Sequence, residues 1–459
     1  MNGLPLIWGE DLDAPLAWRN GQAISRRQYL ADVGALAPLL PAAGAMLNTS
    51  ADRYRFAVGL GAALLRGHAN LLPPNHTPDT VARLRERFAG CYGLHDDAGR
   101  RVDLPMVWQT PAHAALGADA NPLALPTVPD QALAAEVLTS GSTGAPLPHP
   151  KHWGLLVRNA ESGAARLALT MGRTDLHGVA VVATVPAQHM YGFESTVLLA
   201  LLAGAAFDAG RPFYPANIAR ALADVPRPRM LVTTPFHLKT LLDSGVSLAP
   251  ADLVLCATAP LSPQLAARAE AAFKAPLMEI YGCTEAGQVA SRRPTLGAEW
   301  QTYAGLRLSG DGEAAVISGG HVAQPTRLAD VLEVVDGETF RLLGRSNDLI
   351  NIVGKRSSLA HLNYHLNTVA GVQDGAFWLP SERTDDAAVV RLAAFVVAPG
   401  VPHGQILDAL RQRLDPAFLP RPIVSVPALP REATGKLPAG AFAAWAAQWL
   451  SRGAPRPQA

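Results

Sequence analysis

The 459-residue chain has little of what would tie it to an oxidising compartment, a membrane or a nucleic acid. Cysteine occurs three times, at Cys91, Cys256 and Cys283. These lie too far apart for a zinc spacing or a disulfide framework, and a reducing, cytoplasmic setting is the expectation. Charge is sparse at 17% and nearly balanced, with 39 Lys and Arg against 38 Asp and Glu. No basic stripe forms, which argues against a general nucleic-acid partner. The longest apolar run, residues 197–207, is too short to span a bilayer. The opening Met1-Asn2-Gly3-Leu4-Pro5 has no basic stretch leading into an apolar core, so no signal peptide is expected. One further absence is a Gly-Lys pair closing the glycine-rich stretch 139–151, which excludes the G-x-x-x-x-G-K-[ST] nucleotide loop.

What is present describes an ordered globular chain, 49% hydrophobic and long enough for two or three domains. The stretch from Thr139 through Ser140, Gly141, Ser142, Thr143 and Gly144 to Pro146 collects hydroxyls and glycines. It follows a predicted strand at 134–138 and precedes helical spacing from Trp153. Hydroxyls and backbone N–H groups at a strand end suit an anion, and Lys151 follows within reach. Read alone, the stretch fits a surface turn equally well.

Helical patterns cover 27–40, 54–67 and 79–88. Beyond the loop, apolar runs at 179–185, 230–234 and 253–258 read as buried parallel strands. Each is followed by a helical pattern, at 194–202, 237–242 and 264–273. Alternation at this spacing predicts a parallel sheet flanked by helices. Ligands of such sheets bind beyond the carboxyl ends of the strands. Segments 139–151, 186–192, 257–260 and 281–285 should therefore meet at one crevice. Residues 313–317 and 331–343 suggest a small antiparallel unit. Helix and strand then mix, with a strand at 395–397 and a terminal helix at 441–450. The fold class expected is α/β: a large N-terminal domain (1–343) with parallel sheets flanked by helices plus a small β unit, a hinge at 344–348, and a small α+β domain (349–459).

Four motifs resemble, in order, those of the adenylate-forming superfamily of acyl- and aryl-CoA ligases, peptide-synthetase adenylation domains and luciferases. They are Thr139 to Pro146, Tyr281-Gly282-Cys283-Thr284-Glu285, Asp330 with Gly344-Arg345-Ser346-Asn347-Asp348, and Pro430 to Lys436. The resemblance implies ATP-dependent conversion of a carboxylic acid to an acyl-adenylate with release of pyrophosphate, then transfer to a thiol. It implies the loop 139–144 and Lys151 on the phosphates, Thr284 on the α-phosphate and Glu285 holding Mg²⁺. Tyr281 would stack on adenine beside the backbone of Ala257, Thr258 and Ala259, and Gly282 would also belong to the ATP site. Asp330, Arg345 and Arg356 would complete the ATP site, the first two on the ribose. His189 would sit near the acyl carboxylate, Lys436 would bridge it to the α-phosphate, and a mobile small domain would turn about Asn347. Tyr191, Gly192, Phe193, Phe236 and Cys283 are candidates for an acid pocket that is flat and partly apolar.

Taken singly, these residues have plainer readings: His189 a strand-end histidine, Glu285 a helix N-terminal carboxylate, Lys436 a surface lysine, Tyr281 and Phe193 core aromatics. The sequence departs from the family in having Leu147 where most members carry lysine, with Lys151 four residues later, and in a compressed stretch between Gly312 and Asp330. The Pro-His-x-Lys-x-Trp pattern at 148–153 is similar to short ligases of aryl-polyene and xanthomonadin-type pigment synthesis. That implies a hydroxybenzoate- or hydroxycinnamate-like acid, with a carrier-protein phosphopantetheine slightly ahead of free CoA as acceptor. The alternatives are a fatty acyl-AMP ligase and a non-catalytic nucleotide-binding paralogue.

Overall fold

The computed structural model describes residues 3–97, 99, 102–109, 125–139, 147–345, 349–352, 355–380, 392–431 and 437–451. Among these residues, two large sheets organise the chain up to residue 345. A six-stranded sheet runs in the order Leu147–His152, Leu133–Thr139, Asn70–Leu72, Met46–Asn48, Tyr92–His95, Met106–Trp108. Its last five strands are parallel. The eleven-stranded sheet is built on six parallel strands: Pro15–Arg19, Ala206–Asp208, Ala180–Ala183, Arg229–Thr233, Leu253–Cys256 and Leu277–Cys283.

Side chains alternate across a strand, so an unbroken apolar run needs cover on both faces. Val181 and Ala183 enter one core, Ala180 and Val182 another. The first core lies between the two sheets and is filled by the helices Arg53–Leu65 and Trp153–Thr170 and by the helical residues 190–203. The second lies under Pro215–Asp224, Pro235–Asp243 and Pro263–Phe273. The last two of these helices begin on proline, after Thr234 and Ser262, whose hydroxyls accept the N–H groups of His237 and Leu265. The ring pre-sets the first helical φ while the cap satisfies a donor the helix cannot.

Two features differ from the sequence reading. The residues between the loop and Trp153, where no strand was expected, are an antiparallel edge strand, Leu147–His152, on Leu133–Thr139. Pro148 and Pro150 alternate along it, and at a sheet edge a missing N–H facing outward breaks no ladder bond. The segment 331–343 is not part of a separate small unit. Asp330–Val334 and Thr339–Arg345 extend the eleven-stranded sheet through Glu299–Thr302. Trp300 faces Phe340 across that pair, rings stacked at 6.3 Å. Burying this aromatic pair fixes the register. The small antiparallel unit consists of Leu306–Ser309, Val316–Gly319 and Thr326–Arg327.

Residues from 349 onward are α+β. A hairpin, Leu349–Ile352 with Lys355–Ser358, leads to a three-stranded sheet of Asp374–Trp378, Ala393–Val397 and Ile423–Ser425. Helices Leu359–Asn367, His403–Arg411 and Ala439–Ser451 accompany it. Their cores draw only on residues beyond 348. Ser358 Oγ donates to the Leu343 carbonyl at 2.5 Å, across the expected boundary. Among the described residues, no helix is long and apolar enough to cross a membrane.

Candidate active site

The parallel strands of the eleven-stranded sheet end on a group of polar contacts. Arg53, 2% exposed, donates to the carbonyls of Ala183, Val185, Asp208 and Gly210 at 2.6–3.2 Å. It thereby fixes the point at which residues 186–192 leave the sheet. Within that segment Tyr191 Oη donates to the carbonyls of Thr233 (3.1 Å) and Leu255 (2.9 Å), joining three strand ends. Gly192 is required there, because a Cβ would lie 2.0 Å from the Pro186 carbonyl oxygen. His189 is exposed at the N-terminus of the helical residues 190–203.

After Leu253–Cys256 comes Ala257, buried, then exposed Thr258 with φ +84° and half-buried Ala259. A β-branched residue in the left-handed region costs about 1–3 kcal/mol, and such strain gathers at functional sites. The next strand, Leu277–Cys283, carries Tyr281 and Gly282. Tyr281 is 8% exposed and packs edge-on against Trp300 and Phe340, so what it turns to the site is its hydroxyl. That hydroxyl donates to Asp330 Oδ2 at 2.7 Å. Asp330 in turn is paired in register with Arg345. The two residues expected on the ribose are therefore cross-strand neighbours, one of them held from beneath by the expected adenine contact.

The turn after Cys283 carries half-buried Thr284 and exposed Glu285. Lys151 reaches it from the edge strand, its Nζ donating to the carbonyls of Thr284 (2.5 Å) and Glu285 (3.2 Å). Burial lowers the Lys151 pKa, while Glu194, Cys283 and Glu285 pull it back up. His149 Nε2 lies 3.8 Å from Glu285 Oε1; burial lowers the histidine pKa, so at neutral pH this is not an ion pair. Burial pushes the Cys283 thiol up to about 12, which marks a packing residue and not a nucleophile.

The expected crevice thus joins segments 151, 191–192, 257–259 and 281–285, with Asp330 beside them. Phe193 does not belong to it. It is wholly buried and packs edge-on against Phe56, because its position on the helix faces the core. Phe236 is 38% exposed at the start of Pro235–Asp243, next to His237. Ser140, Gly141, Ser142, Thr143, Gly144, Asn347 and Lys436 lie outside the described residues, as do the side chains of Thr139, Arg345 and Arg356.

Sequence reasoning missed a buried polar cluster beneath the turn. Glu194, 5% exposed, accepts from Asn159 Nδ2 at 2.5 Å, and burial raises its pKa to about 7 against the pull of Lys151 and Asn159. His321, 5% exposed, pairs through Nε2 with the Gln288 carbonyl at 2.8 Å, and burial lowers its pKa to about 4. The available signal was a lone acid heading an apolar helical run.

The family model of AMP-binding enzymes matches residues 58–339, more than half of the chain. The chain belongs to that family. It is an AMP-forming member of the adenylate-forming superfamily. A 4-coumarate–CoA ligase of Rhodobacter capsulatus is 32% identical over 277 residues, covering 60% of this chain and 66% of that protein. One from Halorhodospira halophila is 30% identical over 314 residues, covering 65% and 73%. The matched stretch spans about two thirds of the length of the Rhodobacter protein. ATP-bound MatB from Rhodopseudomonas palustris has the same fold, with a TM-score of 0.75 over 95% of this chain and 97% of that one, at 18% identity.

Proposed function

We propose that this enzyme activates an aromatic carboxylic acid of the hydroxycinnamate or hydroxybenzoate kind with ATP, and passes the acyl group to a phosphopantetheine thiol. The observation that carries the reading is the meeting of Thr258, the Tyr281–Asp330 pair and the Thr284–Glu285 turn at the ends of one set of parallel strands. Both reactants are anions, so the site must hold two negative groups together and offset charge that builds on the α-phosphate. Thr284 offers a hydroxyl for that phosphate, and Asp330 an acceptor for ribose hydroxyls. His189, exposed at the start of the helical residues 190–203, would meet the acyl carboxylate. The acceptor to test first is CoA, since two relatives are named as CoA ligases; a carrier protein is the second arm.

Among the described residues, no cluster of three or more His, Cys, Asp or Glu forms a metal cage. The donor set still fits Mg²⁺, which shares its shell with phosphates and water and takes one or two carboxylates. Glu285, exposed beside Thr284, is that carboxylate. When bound, Mg²⁺ neutralises phosphate charge and orients the leaving pyrophosphate. We assign residues 1–343 and 349–459 to two domains, with Lys436 delivered from the second by rotation about Asn347.

ATP–pyrophosphate exchange over a panel of aromatic and aliphatic acids tests the proposal. Mg²⁺-dependent exchange with 4-coumarate- or 4-hydroxybenzoate-like acids is expected. Exchange with medium-chain fatty acids alone would favour a fatty acyl-AMP ligase. ATP binding without exchange on any acid would point to a nucleotide-binding paralogue.

A further inference from the structure

Three elements remote in sequence converge under the Thr284–Gly287 turn. From the edge strand, Lys151 donates to the carbonyls of Thr284 and Glu285. From the helix Trp153–Thr170 comes Asn159, 3% exposed, its amide on Glu194. Glu194 itself stands on Phe193–Leu198, a π-turn within the helical residues 190–203. Such turns shift the register of a helix and often sit at functional sites. Above this pair lies Gly287, with φ +79°. A Cβ there would be 3.0 Å from Glu194 Oε1 and 3.1 Å from Asn159 Nδ2. The turn therefore rests directly on the Glu194–Asn159 pair, and Lys151 clamps its carbonyls.

The cluster has a division of labour that packing alone does not require. An apolar side chain would fill the Glu194 position at less cost than a buried carboxylate. Burial lowers the Lys151 pKa and Glu194 pulls it back up, while the Lys151 Nζ donates to two carbonyl oxygens of the turn. We infer that Glu194, Asn159 and Lys151 are positioning residues that set the Thr284–Gly287 turn, and through it the Thr284 hydroxyl and Glu285 carboxylate that face MgATP. Lys151 then acts on the phosphates at one remove, in place of the direct contact its sequence position implied. The inference rests on the adenylation reading, and its test separates the two.

The full-length enzyme is compared with Glu194→Gln, which keeps the shape and the Asn159 contact while removing the charge, and with Lys151→Met and Lys151→Arg. Partners one step removed from a metal typically change affinity or rate by about 10-fold to 100-fold. Glu194→Gln and Lys151→Met should raise the KM for MgATP in pyrophosphate exchange by such a factor, leaving the KM for the acid within about twofold. Calorimetric binding of MgATP should weaken in parallel, and Lys151→Arg should recover part of the loss. A rise in the KM for the acid with MgATP unaffected would overturn the inference and make Glu194 the floor of the acid pocket. A fall in Tm with both KM values unchanged would also overturn it, leaving a purely structural cluster. If the wild-type enzyme shows no exchange, the adenylation reading fails, and calorimetry with MgATP still decides whether Glu194 and Lys151 act on nucleotide binding.

Discussion

Two glutamates are almost fully buried near the strand Leu277–Cys283, and the protein treats them differently. Glu279, on the strand itself, accepts from Arg292 at 2.7 Å and from the Leu261 N–H at 3.0 Å. Arg292 in turn lies over the Trp300 ring at 4.5 Å. Glu194 receives an amide from Asn159 and only the attraction of Lys151, whose donors go to backbone carbonyls. Burial raises the Glu279 pKa too, but Arg292 and the Leu261 N–H answer its carboxylate by direct contact. Glu194 is under-compensated, and it lies beneath the turn that carries Thr284 and Glu285. A buried carboxylate without a direct cationic partner is better evidence of function than one held in an ion pair.

Breaking the first region should cost the fold most. Arg292→Ala leaves the Glu279 carboxylate buried without its partner, a change worth about 3–5 kcal/mol. The measurement is urea unfolding followed by circular dichroism. A loss under about 1 kcal/mol would mean that Arg292 is not what answers the buried carboxylate. The double variant Arg292→Met with Glu279→Gln should recover much of the loss, because no unpaired charge remains.

The second region should reveal itself through pH, with a smaller effect. Between the ordinary Glu pKa of 4.5 and about 7, folded Glu194 keeps a proton that the unfolded chain has lost, so stability falls as pH rises. His321 has the opposite sign. Between about 4 and 6.5 the unfolded histidine takes up a proton that the folded one refuses, so stability rises with pH. The two slopes oppose each other from about pH 4.5 to 6.5. Glu194→Gln should therefore uncover a rise in stability across pH 4–6.5, and His321→Gln a fall across pH 4.5–7. Superimposable pH–stability curves for all three proteins would contradict this.

The parallel strands were legible because both of their faces are buried, so residues 179–185, 230–234 and 253–258 could be read as unbroken apolar runs. Their carboxyl ends then located the crevice. The edge strand Leu147–His152 was not legible, since two prolines hide a strand whose outward N–H groups need no partner. Nor was the place of Asp330–Arg345, which depends on Trp300 meeting Phe340 across a distant pairing. Phe193 looked like a pocket residue because it follows Tyr191 and Gly192; a helical face decided otherwise. Glu194 escaped notice because an acid at a helix start usually answers the dipole. Only the π-turn and Asn159 show that it points inward.

If the Thr284–Glu285 turn at the strand ends is where MgATP is used, Glu285→Gln should disable the enzyme. The side chain is 48% exposed, so the substitution should leave folding intact. Exchange of pyrophosphate into ATP, followed against Mg²⁺ concentration with the best acid of the panel, should fall by at least about 100-fold, the upper end of what supporting residues alone give. Wild-type exchange with an unchanged Mg²⁺ dependence would contradict the account and move the nucleotide away from this turn.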